Sequence, residues 1–281
     1  MSHTAEVSRS NPMCIIFLVD QSGSMGEPFG KELGKLKCEG VADAINELID
    51  ALINSCTKQG EVLDRYYVGV IGYGNNAASL LRSNSGKSHL VKISELADSP
   101  LRTETRSKRS GGSRVHEVIY PVWFEPIAGG ETHMREAIDL AETFAKGFIL
   151  EHPDCRPPIV FNITDGAPHE LATTEKAAEK LRALSSRDGE VLMFNIHISH
   201  LANAAIEFPT SERQLPDSCA RLLFRMSSIV PASMVTIAKM LDFQVESESR
   251  GFVFNASLDS VIRFIAAGTR ATQQRKLGYT P

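Results

Sequence analysis

The chain of 281 residues has one tryptophan, five cysteines and no uninterrupted apolar stretch near the roughly 20 residues needed to span a bilayer. The cysteines, Cys14, Cys38, Cys56, Cys155 and Cys219, are scattered and contain no C-x-x-C pair. This excludes a zinc ribbon or dithiol centre and leaves reduced, packed thiols. Neither sign of charge dominates: 30 Lys+Arg against 34 Asp+Glu give −4, so no global basic field draws the chain to nucleic acid or an anionic membrane. Met1–Pro12 is polar, and the apolar run Met13–Val19 is too short for a secretory leader and stops at Asp20, so a cytoplasmic location is expected. What is present is 42% hydrophobic residues, enough for a sizeable core, in a length that suits one decorated α/β domain better than two.

The run Met13–Val19 reads as a strand buried on both faces. Beyond a Gly-rich turn, Leu33, Leu36, Val41, Ala44, Ile45, Leu48, Ile49, Leu52 and Ile53 recur at helical spacing up to about Ser55. The unit repeats, with strands at Tyr66–Tyr73, Ile159–Ile163, Glu190–Ile198 and Gly251–Asn255 and helices at Met134–Phe148, Thr173–Leu184, Ser218–Met226, Ser233–Leu241 and Ser257–Ala267. Val115–Trp123 reads as a further strand, with Pro121 marking an edge position or a strand end. The alternation predicts an α/β fold: a doubly wound, Rossmann-like, mostly parallel six-stranded sheet with helices on both faces. One domain over 13–268 is expected, with flexible tails at 1–12 and 269–281 and a basic loop insertion at about 83–114. Within 101–114, Arg102, Arg106, Lys108, Arg109 and Arg114 face only Glu104, a local charge of +4 in a chain of −4, so the remainder carries −8.

Ligands of open parallel sheets bind at the carboxyl ends of the strands. There the sequence places Asp20-Gln-Ser22-Gly-Ser24-Met-Gly26, the loop Gly129-Gly-Glu-Thr132, and Thr164-Asp165-Gly166. Asp20, Ser22, Ser24, Thr132 and Asp165 offer oxygen alone, the donor set of a hard cation such as Mg²⁺. An extended loop aims hydroxyls two residues apart the same way, and Gly23 and Gly26 permit the turn.

This pattern resembles the von Willebrand factor type A family and its metal-ion-dependent adhesion site. The family's Asp-x-Ser-x-Ser stands at Asp20, Ser22 and Ser24, its distant Thr at Thr132 and its distant Asp at Asp165. Asp-Gln-Ser-Gly-Ser-Met with Gly130-Glu-Thr-His-Met134 looks most like stand-alone bacterial members of the tellurium-resistance type. The resemblance implies a divalent ion, Mg²⁺ with Mn²⁺ or Ca²⁺ as alternatives, held directly by Ser22, Ser24 and often Thr132, with Asp20 and Asp165 acting largely through waters. It implies a non-enzymatic module that recruits a partner protein through an Asp or Glu, beside a kinase, phosphatase or AAA-type ATPase in a bacterial stress or defence system. The alternatives are a metal-dependent phosphohydrolase on the same rim and a metal-free scaffold.

Other motifs fare less well. Ser24 taken alone fits a helix cap. An EF-hand starting at Asp20 would need Glu where Lys31 stands, and a nucleophile elbow at Ser24 would need Gly where Ser22 stands. Gly86-Lys-Ser88 imitates a phosphate loop but has Leu81 in place of its first glycine. His133 and His169 flank the motif as ordinary loop histidines, and His197 and His200 are poorly spaced for a shared metal. The segment 101–114 reads as a solvated insertion, with a docking site for an acidic surface or nucleic acid as the sharper alternative; no aromatic platform is interleaved in it. Trp123 reads as core.

Overall fold

The computed structural model describes residues 3–29, 34–82, 89–110, 114–168, 170–198 and 204–270. In chain order, β1 (Met13–Asp20) leads to α1 (Lys37–Cys56), β2 (Tyr66–Tyr73), β3 (Ala77–Ser79), β4 (Val91–Lys92) and α2 (Ile93–Asp98). A hairpin of β5 (Arg102–Ser110) and β6 (Arg114–Val122) precedes α3 (Met134–Glu151), β7 (Ile159–Thr164) and α4 (Leu171–Ala183). The chain ends with β8 (Leu192–Ile198), β9 (Ile206–Glu207), α5 (Ser218–Met226), α6 (Ala232–Met240), β10 (Phe252–Ala256) and α7 (Leu258–Arg270). Among the described residues no helix is long and apolar enough to cross a membrane.

The main sheet runs β9-β10-β8-β7-β1-β2-β3, with β4 also paired to β2. β10, β8, β7, β1 and β2 are mutually parallel. β3, β4 and β9 are antiparallel additions at its margins. β1 is buried along all of its length, which is why its sequence is apolar without alternation. Met13, Ile15, Phe17 and Val19 join the core under α1, α6 and α7, and Cys14, Ile16 and Leu18 join the one under α3, α4 and α5. The molecule is therefore an α/β fold with a central, mostly parallel sheet flanked by helices on both faces.

Four expectations need correction. The sheet has eight strands among the described residues rather than six, because β3, β4 and β9 are two or three residues long and too short to leave a periodic pattern. The strand expected at Val115–Trp123 lies outside that sheet: among the described residues β6 pairs with β5 alone, in a two-stranded ribbon. The expected loop at 83–114 accordingly contains β4, α2 and β5 within its described part. Strand β5 carries no apolar residue at all, so hydropathy gave no sign of it; cross-strand pairing and docking hold it instead. Residues 3–12 are also less free than a tail. The amides of Thr4 and Ala5 donate to the Asp188 carboxylate at 3.0 Å, and Arg156 donates to the His3 carbonyl.

The ribbon is fastened to α1. Tyr120 donates its hydroxyl to the Asp43 carbonyl at 2.9 Å, and Arg106 lies 3.5 Å above the Tyr120 ring while pairing with the Asp43 carboxylate at 2.9 Å. Just past β6, Trp123 donates its amide to Asn46 Oδ1 at 2.9 Å and its indole N–H to the Leu96 carbonyl at 2.7 Å, as a core residue.

Burial pushes the Asp43 carboxyl upward, but Arg106 and Lys35 override it and hold it below its ordinary value. A lowered folded-state pKa contributes stability above the unfolded value, near 4, that is lost as pH falls through the folded one. Asp43→Asn is expected to cost about 1 kcal/mol at pH 7 by urea denaturation, with the deficit closing on the acid limb. A deficit independent of pH would assign the loss to packing instead of charge.

Candidate functional site

The chain leaves β1 for β2 on one side, whereas β7, β8 and β10 follow one another on the other side. The connections thus diverge between β1 and β7, and a crevice opens at the carboxyl ends of these two strands. Asp20 is the last residue of β1, Thr164 is the last of β7, and Asp165 follows it.

Asp20 is completely buried. Its Oδ1 accepts the Ser22 amide at 2.8 Å and its Oδ2 accepts the Thr164 hydroxyl at 2.6 Å. Burial pushes the Asp20 carboxyl above the ordinary aspartate value; the Thr164 and Ser22 bonds oppose this, and neighbouring Asp165 adds to it. The Ser22 and Ser24 hydroxyl oxygens lie 3.2 Å apart, and Ser24 donates to Asp165 Oδ1 at 2.7 Å. Ser22 heads the 3-10 turn Gly23–Gly26 without a side-chain cap bond, and the Ser24 hydroxyl is directed at Asp165, so the capping explanation of this motif does not apply.

Backbone bonds set the Thr132 loop against this cluster. Gly129 donates to the Gln21 carbonyl at 2.7 Å and Gly23 to the Gly130 carbonyl at 3.2 Å. Gly130 sits at φ +96°, where a Cβ would strike the Asn75 side chain, so glycine is required for this close approach. Two residues on, Thr132 is half-buried, and Met134 then anchors the start of α3, its Sδ accepting from Asn162 Nδ2 at 3.6 Å. The structure therefore joins Asp20, Ser22, Ser24 and Asp165 in one hydrogen-bonded cluster and braces the loop carrying Thr132 beside it.

Lys37 belongs to the same cluster and was not singled out from sequence. It is the first residue of α1, with only 3% of its side chain exposed, and its ammonium donates to Asp165 Oδ2 at 2.7 Å, Glu27 Oε2 at 2.8 Å and the Ser24 carbonyl at 3.3 Å. Burial alone would lower its pKa, but the bonds to Asp165 and Glu27 raise it above the ordinary lysine value. The one sequence signal was a cation at a helix N-terminus, where the macrodipole disfavours it and nearby carboxylates must offset the cost.

Beneath the rim runs a buried polar string. Tyr73 donates to Asn162 Oδ1 at 2.7 Å, Asn162 to Asn195 Oδ1 at 2.9 Å, Asn195 to Ser227 Oγ at 2.9 Å, and Ser227 to the Leu223 carbonyl at 2.7 Å.

The other residues singled out play lesser parts. His133 stands between Glu131 and Glu136. His197 stacks on Phe254 at 4.6 Å between centroids, with burial lowering its pKa, as a packing group. His169, His200 and Gly86-Lys-Ser88 lie outside the described residues. Cys219 donates to the Gly166 carbonyl at 3.5 Å; burial pushes its thiol up to about 12, with Asp217 and Asp20 adding to the shift, which disfavours the thiolate.

Among the described residues no group of three or more His, Cys, Asp and Glu side chains is placed to hold a metal, so a cation at this rim relies on hydroxyls. Ligand oxygens about 2.1 Å from an octahedral Mg²⁺ stand about 3 Å from their neighbours. The sequence Ser22 Oγ, Ser24 Oγ, Asp165 Oδ1, spaced at 3.2 and 2.7 Å, matches such an edge, and the residues present fit a small hard cation.

No protein-family model matches the chain, and no curated protein matches it. Solved structures do. Manganese-loaded TRAP protein of Plasmodium vivax matches at 19% identity over 91% of this chain and 72% of its own, with a TM-score of 0.44. PTMP1 of the mussel byssus, with a zinc-occupied MIDAS motif, matches at 17% identity over 80% of this chain and 43% of its own, with a TM-score of 0.43. The ArnB paralog VWA2 of Sulfolobus acidocaldarius matches at 13% identity over 67% of this chain and 35% of its own, with a TM-score of 0.35. The chain thus spans under half the length of PTMP1 and of VWA2.

Thr164 offers a test of the rim's internal order, since its hydroxyl also accepts the Gly166 amide at 3.1 Å. Thr164→Val leaves a buried carboxylate oxygen and that amide unpaired and is expected to cost about 2–3 kcal/mol in urea unfolding with EDTA present. Thr164→Ser keeps the hydroxyl and should lose no more than about half as much. A loss in Thr164→Ser as large as in Thr164→Val would show that the hydroxyl's bonds are worth no more than the packing of the methyl group.

Proposed function

We propose that this chain is a von Willebrand factor type A domain whose rim binds a divalent cation, Mg²⁺ by preference, and through it recruits an acidic side chain of a protein partner. The observation that carries this reading is the pair of serine hydroxyls converging with Asp165 at the point where the sheet's connections diverge. Ser22, Ser24 and Thr132 are the direct ligands in this reading. Asp20, both of whose oxygens already accept a bond, orders the Ser22 loop from below and acts on the ion at a distance.

Neutral hydroxyls next to the ion leave its charge poorly balanced, so an open coordination position attracts an external carboxylate. Mn²⁺ shares the preference for six oxygen ligands and is the nearest substitute, and Ca²⁺ would need a larger ligand shell. The phosphohydrolase alternative is disfavoured at the rim: Asp20 and Asp165 are held by Thr164, Ser22, Ser24 and Lys37, and Cys219 is a neutral thiol, so the described residues there leave no ready general base or nucleophile. A cytoplasmic setting is supported by four buried free thiols, Cys14, Cys38, Cys56 and Cys155. A kinase, phosphatase or ATPase partner in a bacterial stress system rests on the tellurium-resistance likeness of the two motif loops alone.

Calorimetric titration is expected to show one Mg²⁺ site in the wild type and none in Asp20→Ala or Thr132→Ala, with circular dichroism reporting a retained fold. Partner capture from native extract is expected in Mg²⁺ and to disappear in EDTA. Capture that persists undiminished in EDTA would sink the proposal.

A further inference from the structure

The resemblance assigns Lys37 no role, yet its ammonium already occupies Asp165 Oδ2 at 2.7 Å. Its side chain and that of Asp165 are 3% and 1% exposed, so the pair is shielded from water on both sides. The two oxygens of Asp165 are divided: Oδ2 belongs to Lys37 at 2.7 Å and Oδ1 to Ser24 at 2.7 Å. A dication held by Ser22 and Ser24, with Asp165 Oδ1 beside it, stands little more than one carboxylate away from a fixed positive charge, where screening is weak. The positive end of the α1 dipole, which begins at Lys37, adds to that repulsion. Glu27 supplies the other half of the arrangement. Its side chain is 52% exposed and it holds the same ammonium at 2.8 Å, so Lys37 keeps a partner when Asp165 turns toward an ion.

We propose that Lys37 is the rim's resident counter-cation: it neutralises Asp165 in the ion-free protein, keeps Oδ1 aimed at the serine hydroxyls, and sets the rim's affinity for a divalent ion below what the same oxygens would give without it. The inference rests on the reading of the rim as a cation site. Lys37 is in this sense a positioning and affinity-setting residue, and it predicts a gain of binding on mutation, which structural damage does not produce.

The test is calorimetric titration of Mg²⁺ into the full chain as wild type, Lys37→Met, Lys37→Gln and Lys37→Arg, with urea unfolding in EDTA and in Mg²⁺. The neutral variants are expected to bind Mg²⁺ at least tenfold more tightly than the wild type. They should also unfold at lower urea in EDTA and recover in Mg²⁺, whereas Lys37→Arg should behave as the wild type. Lys37→Gln retains an N–H donor for Asp165 and decides the matter if Lys37→Met fails to fold. If the wild type binds Mg²⁺ and a folded Lys37→Gln binds it no more tightly, the role of Lys37 is overturned while the cation site stands. If no form binds Mg²⁺, the cation site fails and the role of Lys37 falls with it.

Discussion

Two aspartate side chains are withdrawn from water at the carboxyl ends of adjacent central strands, and their charge governs the surrounding structure. A buried carboxylate without partners costs several kcal/mol, so each oxygen must find a donor. Asp20 finds the Ser22 amide and the Thr164 hydroxyl. Asp165 finds the Ser24 hydroxyl and the Lys37 ammonium. The donors come from the loop after β1, the end of β7 and the first residue of α1, so satisfying two carboxylates fixes three parts of the chain relative to one another. The rim is ordered by its own electrostatics, through hydrogen bonds the chain supplies itself.

The sheet below is built to hold that framework still. Asn162 and Asn195 lie opposite each other on β7 and β8, and their amides carry the string from Tyr73 to Ser227 across the sheet. Apolar side chains there would pack as well, but the amides pair in one register only. A slip of one residue would turn them to the opposite face and strand their polar groups. Because Met134 also rests on Asn162, the helix that follows Thr132 is located by the same string. The Thr132 loop is thus pinned from two directions, by backbone bonds to residues 21 and 23 and by a buried methionine at its far end.

What the sequence disclosed follows from this division of labour. Strands such as Met13–Asp20 declare themselves because burial on both faces demands unbroken apolar residues, and the long helices do so through their apolar stripes. Asp20, Ser22, Ser24 and Asp165 were legible because spacing and strand-end position are properties of the chain itself. Lys37 was not. A lysine near the start of an amphipathic helix looks like any solvated charge until the fold brings Asp165, 128 positions away, against it. The β5–β6 ribbon was hidden for a different reason. Its stability comes from cross-strand pairing and from Asp43, Asn46 and Leu96 on other elements, none of which imposes hydrophobic periodicity on β5.

Charge placement follows the same rule. The +4 segment reads in sequence as a solvated insertion, yet Arg102 is committed to Glu104 and Glu125, and Arg106 to Asp43 and Glu104. Helix α1 connects the β5–β6 ribbon to the rim. Lys37 at its first residue holds Asp165, and Asp43, six residues and about 9 Å farther along, holds the ribbon. Asp43 and Asn46 lie three residues apart, on one face of the helix, so both ribbon contacts arise from a single surface. A displacement of α1 therefore moves the rim of Asp20 and Asp165 and the β5–β6 ribbon together, because both are fastened to a single stiff helix.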